Sequence, residues 1–349
     1  MRQPRIIVTA FATCLTLSFQ LPMPAHAQAR KVTVQLDWVV NGAHIGFFVA
    51  KAKGLYAAKG LDADINRGFG SADTAKVVAA GKADFGVLTI PGAITSRASG
   101  VPVVAVAVIY GKSPESIVSI EPKAIRQPKE TEGKSFAEAP GGTMVAIWPA
   151  FAKLVGINAD KVKYVAIDPS AKLAAFFSGQ VDFMFGFRPG LDDVAILRAQ
   201  KDGKKLLFLP WEDYGWKSYG IGIATSDQVL NQNSKVVADF IDATLDGYRQ
   251  AMENLEQALD ILIKDNPEID RNAARLATLF TLDGLLTESG REHGLGYIEP
   301  ARVEFLIELL SKLLNFAPPK AESVYTDQFI QKKPVTISPA MEAELAKIR

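Results

Sequence analysis

The segment that follows the first predicted strand carries side chains able to bind a small molecule. Alternating apolar residues at 32–36 predict the strand, and Asp37, Trp38 and His44 come directly after it. The indole of Trp38 can stack on a flat ligand, and the imidazole of His44 can donate or accept a hydrogen bond. A tryptophan can equally belong to a core, and a histidine at a helix start can be a cap. Both alternatives stay open at this point.

Two glycine-containing helix starts form a second group of candidates. Gly70-Ser71 follows the predicted strand at 61–65, and Gly142-Thr143 follows the predicted strand at 135–137. Glycine allows close backbone approach, the hydroxyls can hydrogen bond, and the free N–H groups of a helix start favour an acceptor or an anion. Ordinary N-capping is the alternative for each start alone. If the two starts face each other across one cleft, a binding site explains them as well as capping does.

Arg188 is the candidate for holding an anion. It follows the apolar strand predicted at 181–187, and its guanidinium suits a carboxylate or a similar oxyanion. A salt bridge to Asp192 or Asp193 is the competing interpretation. Thr89 and Tyr110, just past the third and fourth predicted strands, are weaker candidates for the same cleft.

The sequence has no motif of an established catalytic or metal site. It lacks a Walker loop, a GxSxG elbow and an HExxH pair, and the glycines at 141–142 are not followed by the rest of a dinucleotide-binding fingerprint. Once the predicted leader is removed, His44 and His293 are the remaining histidines, too few for a histidine-rich metal site. We therefore expect a binding protein without a cofactor or a metal, rather than an enzyme.

The elements that position these residues alternate between strands and helices. Further strands are expected at 85–88 and 101–109, with helices at 45–59 and 71–80. After a polar stretch at 122–133 the alternation repeats, with helices at 142–155 and 170–177 and strands at 163–167 and 181–187. The pattern predicts an α/β protein with parallel-rich sheets covered by helices on both faces.

Two similar segments indicate that the chain forms two lobes of related construction. The segments are GKADFG at 81–86 and SGQVDFMFG at 178–186, and each has the order helix, glycine, acidic residue and strand. The alternative is a chance similarity between two ordinary helix-to-strand turns. A mostly helical tail follows, with helices at 234–264, 270–280 and 300–314, and should pack on the first lobe. We predict a discontinuous first lobe of residues 28–115 and 224–349 and a second lobe of residues 116–223. Two crossing strands, near 116–120 and 219–224, would form a hinge.

The N-terminal segment predicts export from the cytoplasm. Arg2 and Arg5 precede an apolar run, and Ala25-His26-Ala27 supplies small residues where a signal peptidase cuts. Cleavage after Ala27 removes Cys14, the one cysteine of the sequence, and leaves 37 basic and 38 acidic groups. Without a basic block, the mature chain has no electrostatic reason to bind nucleic acid or a membrane surface.

The chain resembles one family, the ABC-transporter binding proteins for sulfonates, nitrate and thiamin-pyrimidine precursors. Most of the mature sequence contributes to the resemblance, which rests on Leu36-Asp37-Trp38, His44, Phe48, Ala50, Lys53-Gly54-Leu55-Tyr56, Gly60-Leu61-Asp62, Gly81–Gly86, Gly100–Val103, Gly133-Lys134, Val181-Asp182 and Tyr325–Phe329. The resemblance implies the type II periplasmic-binding-protein fold, with two lobes that are each a mixed sheet flanked by helices, joined by a two-strand hinge.

The departures from this family bear on function. Its pyrimidine-synthase branch carries a lysine for pyridoxal phosphate and a substrate histidine where this chain has Leu88 and Gly92, and a cysteine cluster where this chain has residues 219–223. Pyrimidine-binding members are expected to carry a glutamate at the position of Arg188.

The resemblance, together with the arginine, predicts a monomeric periplasmic receptor. It would deliver a small anionic organic molecule to an ABC permease in the inner membrane. An aromatic or heteroaromatic anion is one form that this ligand could take. A receptor for thiamin-pyrimidine precursors, or a pyridoxal-phosphate-dependent synthase, is the alternative.

Overall fold

The computed structural model describes residues 29–335 and 337–348, so the predicted leader with Cys14 lies outside the described residues. The strands are β1 Arg30–Gln35, β2 Leu61–Asn66, β3 Phe85–Thr89, β4 Val103–Val108, β5 Glu115–Ile120, β6 Ser135–Glu138, β7 Lys163–Ala166, β8 Met184–Phe187, β9 Leu206–Pro210 and β10 Ile221–Ser226. The α-helices are α1 Ile45–Ala52, α2 Leu55–Ala58, α3 Ser71–Ala79, α4 Ile90–Ala98, α5 Thr143–Leu154, α6 Lys172–Phe177, α7 Leu191–Lys201, α8 Asp227–Gln232, α9 Ser234–Glu253, α10 Leu255–Asp265, α11 Arg271–Leu285, α12 Glu288–His293, α13 Pro300–Leu314, α14 Ala321–Val324 and α15 Pro339–Ala346.

A five-stranded mixed sheet holds the first group of strands, in the order β2-β1-β3-β10-β4. β1 pairs in parallel with β2 and β3, whereas β10 is antiparallel to β3 and β4. Every residue of β3, β4 and β10 is buried. Strands covered on both faces are continuous apolar runs rather than alternating ones, which explains the composition of these segments.

The remaining strands form a three-stranded and a two-stranded sheet. The three-stranded sheet is antiparallel in the order β8-β5-β9, and the two-stranded sheet pairs β6 with β7 in parallel. An isolated bridge between Phe136 and Phe183 connects the two sheets. The predicted strand at 181–187 forms regular pairing from Met184 onward, because Phe183 pairs with β6 instead of β5.

The chain passes twice between the five-stranded and the three-stranded sheet. β4 and β10 belong to the five-stranded sheet, while β5 and β9 belong to the three-stranded sheet. The passages are therefore residues 109–114 and 211–220. The exact lobe boundaries and the hinge stay a prediction.

Two helices predicted as continuous are interrupted. The helix expected at 45–59 divides into α1 and α2 at Gly54, whose φ of +70° is left-handed. The helix expected at 234–264 divides at Asn254, whose side chain accepts a hydrogen bond from the backbone N–H of Gln257 and caps α10. In both cases the residue that breaks the helix is one that tolerates or stabilises a non-helical backbone.

The C-terminal helices cover the five-stranded sheet and also contact the second half of the chain. On α9, Phe240 stacks on Phe85 of β3 with ring centroids 3.9 Å apart, and the Tyr248 hydroxyl donates to the Ala43 carbonyl at 2.7 Å. α13 shares one apolar cluster with α4 and α5, so the tail contacts both halves. Within the described residues, no helix has the length and apolar character needed to cross a membrane.

Candidate functional site

One cavity lies where the five-stranded sheet meets the second half of the chain. It contains about 590 Å³ of empty space, counted together with the open volume at its mouth. Eight residues proposed from the sequence line it: Asp37, Trp38, His44, Gly70, Ser71, Thr89, Gly142 and Thr143. The other lining residues are Asn41, Ala43, Glu138, Met144, Lys172, Phe187, Pro189, Leu191 and Ile221.

His44 fixes the Asp37 carboxylate at the wall of this cavity. The backbone N–H of Asn41 donates to His44 Nδ1 at 3.3 Å, so the ring proton lies on Nε2, which donates to Asp37 Oδ1 at 2.9 Å. The imidazole is buried, whereas the Asp37 side chain remains 14% exposed. His44 therefore orients Asp37, and the free lone pairs of that carboxylate can accept a hydrogen bond from a ligand.

The two glycine-containing helix starts do lie opposite each other, but their polar groups are largely engaged with one another. The hydroxyls of Thr89 and Thr143 are 2.8 Å apart, and the Ser71 hydroxyl accepts from the backbone N–H of Thr89 at 3.0 Å. The N–H of Ala72, in the first turn of α3, donates to the Gly141 carbonyl at 3.1 Å. The hydroxyls that the sequence offered to an anion or acceptor are thus engaged with each other and with backbone groups at the start of α4.

A buried charge pair in the cavity wall was not anticipated from the sequence. Glu138 ends β6, Lys172 begins α6, and Lys172 Nζ lies 2.5 Å from Glu138 Oε2 with both side chains 2% exposed. The ammonium also lies over the ring of Trp38, 5.8 Å from its centroid. Because these residues are 34 positions apart, the sequence offered only two separate signals, a charged residue at the end of one apolar pattern and another at the start of a second.

Arg188 does not line the cavity, although its neighbours Phe187 and Pro189 do. Its Nε donates to Asp193 Oδ1 at 3.2 Å, and its guanidinium lies 4.0 Å from the centroid of the Phe280 ring. The salt bridge that competed with ligand binding is thus the interaction present. The expectation that Arg188 holds an anion in the cleft is not supported by this geometry.

Tyr110 also lies outside the cavity lining. Its ring is buried against Gly220 and Gly284, two positions where a Cβ atom would collide with it. Burial raises the pKa of its hydroxyl well above the ordinary value. Tyr110 packs the core between the helical tail and β10 rather than facing a ligand.

Comparisons with known proteins agree with this architecture. A family model described as NMT1/THI5 like matches residues 41–258. The formylaminopyrimidine-binding protein of Halalkalibacterium halodurans is 24% identical over 271 residues, which cover 77% of this chain and 81% of that protein. The riboflavin-binding protein RibY of Chloroflexus aurantiacus is 22% identical over 324 residues, which cover 88% and 89%.

A solved structure gives the same result for the fold. The periplasmic aliphatic sulphonate binding protein SsuA from Escherichia coli superposes with a TM-score of 0.62 at 16% identity, over 88% of this chain and 96% of that one. The α/β binding-protein fold expected from the sequence is confirmed. Both curated relatives described above are named as binding proteins.

Proposed function

We propose that this chain, which belongs to the NMT1/THI5-like family, is the solute-binding component of an ABC importer and takes up a small flat molecule. The observation that carries the proposal is the convergence of two structural halves on one cavity. Trp38 and Asp37 enter it from the end of β1, and Glu138 and Lys172 enter it from β6 and α6. Such an arrangement encloses a ligand when the halves close on it.

The lining supports a flat solute that carries a hydrogen-bond donor. The indole of Trp38 offers a stacking surface, and Asp37, held by His44, offers an acceptor beside it. Relatives named for formylaminopyrimidine and for riboflavin carry names of flat, nitrogen-containing ring compounds. Arg188, on which the expectation of an anionic ligand depended, lies outside the lining.

Ligand screening tests this function. Thermal-shift measurements with cytosine, riboflavin and thiamine, set against taurine, nitrate and benzoate, should give higher melting temperatures with flat nitrogen heterocycles, because a bound ligand stabilises the folded state by mass action. Trp38→Ala should reduce that shift. Phe69→Ala removes an exposed aromatic ring outside the cavity and is the matched control. Shifts given only by taurine, nitrate or benzoate, or unaffected by Trp38→Ala, would contradict the proposal.

We further propose that the protein acts in the periplasm as a monomer and delivers its solute to an inner-membrane permease. The solved relative described above is a periplasmic protein, and the N-terminal segment of this chain has the composition of an export signal. Mass spectrometry of the protein from a periplasmic extract should show a chain that begins near Gln28. An intact Met1, or a lipid on Cys14, would exclude this processing.

The synthase alternative has no support in the cavity. Leu88 is buried and Gly92 lies in α4, so neither position supplies an amine or an imidazole. Lys172 is the amine that lines the cavity, and it is engaged in a buried ion pair with Glu138. The residues present do not fit pyridoxal phosphate. Mixing the protein with pyridoxal phosphate should therefore give no imine absorbance.

A further inference from the structure

The Glu138–Lys172 pair is placed for a role in ligand recognition rather than for stability. Replacing a buried ion pair by apolar residues is often neutral or stabilising, so its presence alone gives little stability. Lys172 is moreover the first residue of α6, where a positive charge meets the positive end of the helix dipole. Both residues line the cavity, and the ammonium of Lys172 faces the ring of Trp38. Burial and the helix dipole both disfavour the charge of Lys172, and this indicates that the residue is present for a functional reason.

The pair has hydrogen-bonding capacity that the protein does not use. An ammonium has three N–H donors, and among the residues that the structure describes Glu138 is the one acceptor within hydrogen-bond distance of Lys172 Nζ. Glu138 itself accepts from Lys172 through Oε2 and from the backbone N–H of Ala139 through Oε1 at 3.0 Å. Donors of Lys172 therefore remain for a ligand in the cavity.

The charges around Lys172 determine which acceptor it can bind. Glu138 neutralises the ammonium at 2.5 Å, and Asp37 adds a second carboxylate to the same lining. An anion bound at Lys172 would lie beside Glu138, and like charges at such short range repel strongly. A neutral carbonyl oxygen or ring nitrogen accepts the same N–H without this repulsion.

Building on the proposed function, we infer that Glu138 makes Lys172 selective for a neutral acceptor and excludes anionic ligands from the cavity. The solute is then a flat, uncharged heterocycle. Its carbonyl oxygen or ring nitrogen accepts from Lys172, its N–H or amino group donates to Asp37, and its face lies on Trp38. The specificity of the receptor is set by Glu138, a residue whose side chain is engaged with Lys172.

Matched pairs of amide and acid probes test this inference. Nicotinamide and nicotinate, and pyrazinamide and pyrazinoate, share a ring and differ in whether the substituent is neutral or charged. Titration calorimetry of the wild-type protein should show the amide binding at least about tenfold more tightly than the acid of each pair. Glu138→Gln frees the charge of Lys172 and should reverse this order, so that the acids bind more tightly than the amides.

Two further variants keep the test decisive. Glu132→Gln removes the carboxylate of a glutamate–lysine pair outside the cavity, in which Lys129 Nζ lies 2.6 Å from Glu132 Oε1, and should leave the amide preference unchanged. Lys172→Gln should weaken amide binding without admitting the acids, and it covers the case in which Glu138→Gln does not fold. Melting curves of all variants establish which of them are folded.

The outcomes separate this inference from the proposed function. Probes that bind a folded Glu138→Gln variant with the wild-type order of preference would overturn the specificity role of Glu138 and leave the receptor function standing. A wild-type preference for the acids, or amide binding that survives Lys172→Gln, would overturn it as well. If neither these probes nor the flat compounds of the first screen bind, the proposed function and this inference fail together.

Discussion

Arg188 is held among buried acidic side chains, and its role is best understood from them. Asp193 accepts from Arg188 and from the backbone N–H of Gly190 at 2.8 Å, and it is fully buried. Its neighbour Asp192 accepts from the backbone N–H of Phe187 at 3.1 Å, and burial together with the charge of Asp193 raises the pKa of Asp192 to about 7. Arg188 thus provides the compensating charge for a pair of buried carboxyl groups at the start of α7.

Removing that charge should affect stability more than binding. Arg188→Ala leaves Asp193 without its ion-pair partner, and because the arginine is 34% exposed we expect a loss of about 2 kcal/mol rather than the full cost of a broken buried pair. Affinity for the best flat probe should change by less than about tenfold. Melting curves and titration calorimetry on the same preparation measure the two effects.

A second arginine, which lies on α7 and pairs with an aspartate, provides the control for the loss of an ion pair in Arg188→Ala. Arg198 pairs with Asp202 at the exposed end of α7, so Arg198→Ala should cost about 0.5 kcal/mol or less. If Arg188→Ala abolished binding while its melting temperature stayed at the wild-type value, the structural role assigned to Arg188 would be wrong.

The orientation of Arg188 could not be decided from its sequence neighbourhood. In a strand, successive side chains point to opposite faces, and a register error of one residue exchanges the faces. The segment at 181–187 is almost entirely apolar, so it contains no alternation from which the facing of residue 188 could be fixed. Phe187 and Pro189 line the cavity and Arg188 does not. The end of the strand was predictable, but the direction of its last side chains was not.

At the scale of elements, β5 begins with a buried carboxyl group just after the chain enters the three-stranded sheet. Glu115 is the first residue of β5, and its carboxyl group is buried beside Ser218 and Trp216. Burial raises the pKa of Glu115 from an ordinary value of 4.5 to about 8. The side chain is therefore protonated in the folded protein at neutral pH.

This raised pKa predicts a pH dependence of stability. Between about pH 4.5 and pH 8 the unfolded chain releases the Glu115 proton that the folded chain retains, so the free energy of unfolding falls as the pH rises through this window. The loss amounts to a few kcal/mol, at about 1.4 kcal/mol per unit of pKa difference. Glu115→Gln should reduce this slope and be more stable than the wild type at pH 8.

Urea unfolding at pH 5 and pH 8 measures this effect. Asp192 has a raised pKa of the same sign, so part of the slope should persist in the variant. Glu322→Gln, at an exposed glutamate, should keep the full wild-type slope. Equal slopes for Glu115→Gln and the wild type would show that Glu115 is not the group responsible.

The elements themselves were predictable to different degrees. α13 begins and ends at the predicted residues, because Pro300 starts it and its apolar residues repeat with the helical period. The short strand β8 and the breaks at Gly54 and Asn254 depend on tertiary pairing and on single residues inside otherwise helical patterns. Pairing between Glu138 and Lys172 depends on the packing of β6 against α6, which no local pattern records.

At the scale of the molecule, the alternation of strands and helices predicted an α/β protein. The resemblance of its motifs to a known family predicted the periplasmic-binding-protein fold in particular. The antiparallel placement of β10 between β3 and β4 could not be derived from the alternation, which favours parallel pairing. Eight of the ten candidate site residues line one cavity because the ends of β1 and β3 and the starts of α3 and α5 converge there. Helix starts and strand ends were visible in the sequence, and their convergence follows from the topology.

Contacts across the cavity indicate how the two halves would close on a solute. Backbone atoms of Ala72 and Gly141 are joined by a hydrogen bond of 3.1 Å, and the side chains of Arg67 and Asp168 form an exposed ion pair of 3.8 Å. An exposed pair contributes at most about 1 kcal/mol, so close backbone packing is the more important contact. Gly70 permits that packing, since a Cβ atom there would lie 2.1 Å from the Gly141 carbonyl oxygen.

We therefore predict that Gly70→Ala prevents closure and weakens binding. Small-angle scattering of the wild-type protein should show a smaller radius of gyration when the flat probe with the largest thermal shift is added, because the two halves approach each other. The radius of the variant should not change, and its affinity for the same probe should fall by tenfold or more, on the order of 1.4 kcal/mol or above.

Gly100→Ala is the matched control, because both substitutions place a side chain at a left-handed backbone but only one of them creates a collision. Gly70 has a φ of +125° and Gly100 a φ of +82°, and a Cβ atom at Gly100 would meet no atom within 4 Å. Backbone strain should lower the melting temperature of both variants, whereas closure and affinity should be lost only in Gly70→Ala. If Gly70→Ala contracted on adding the probe and bound it as tightly as Gly100→Ala does, the contact at Gly141 would not be what brings the two halves together.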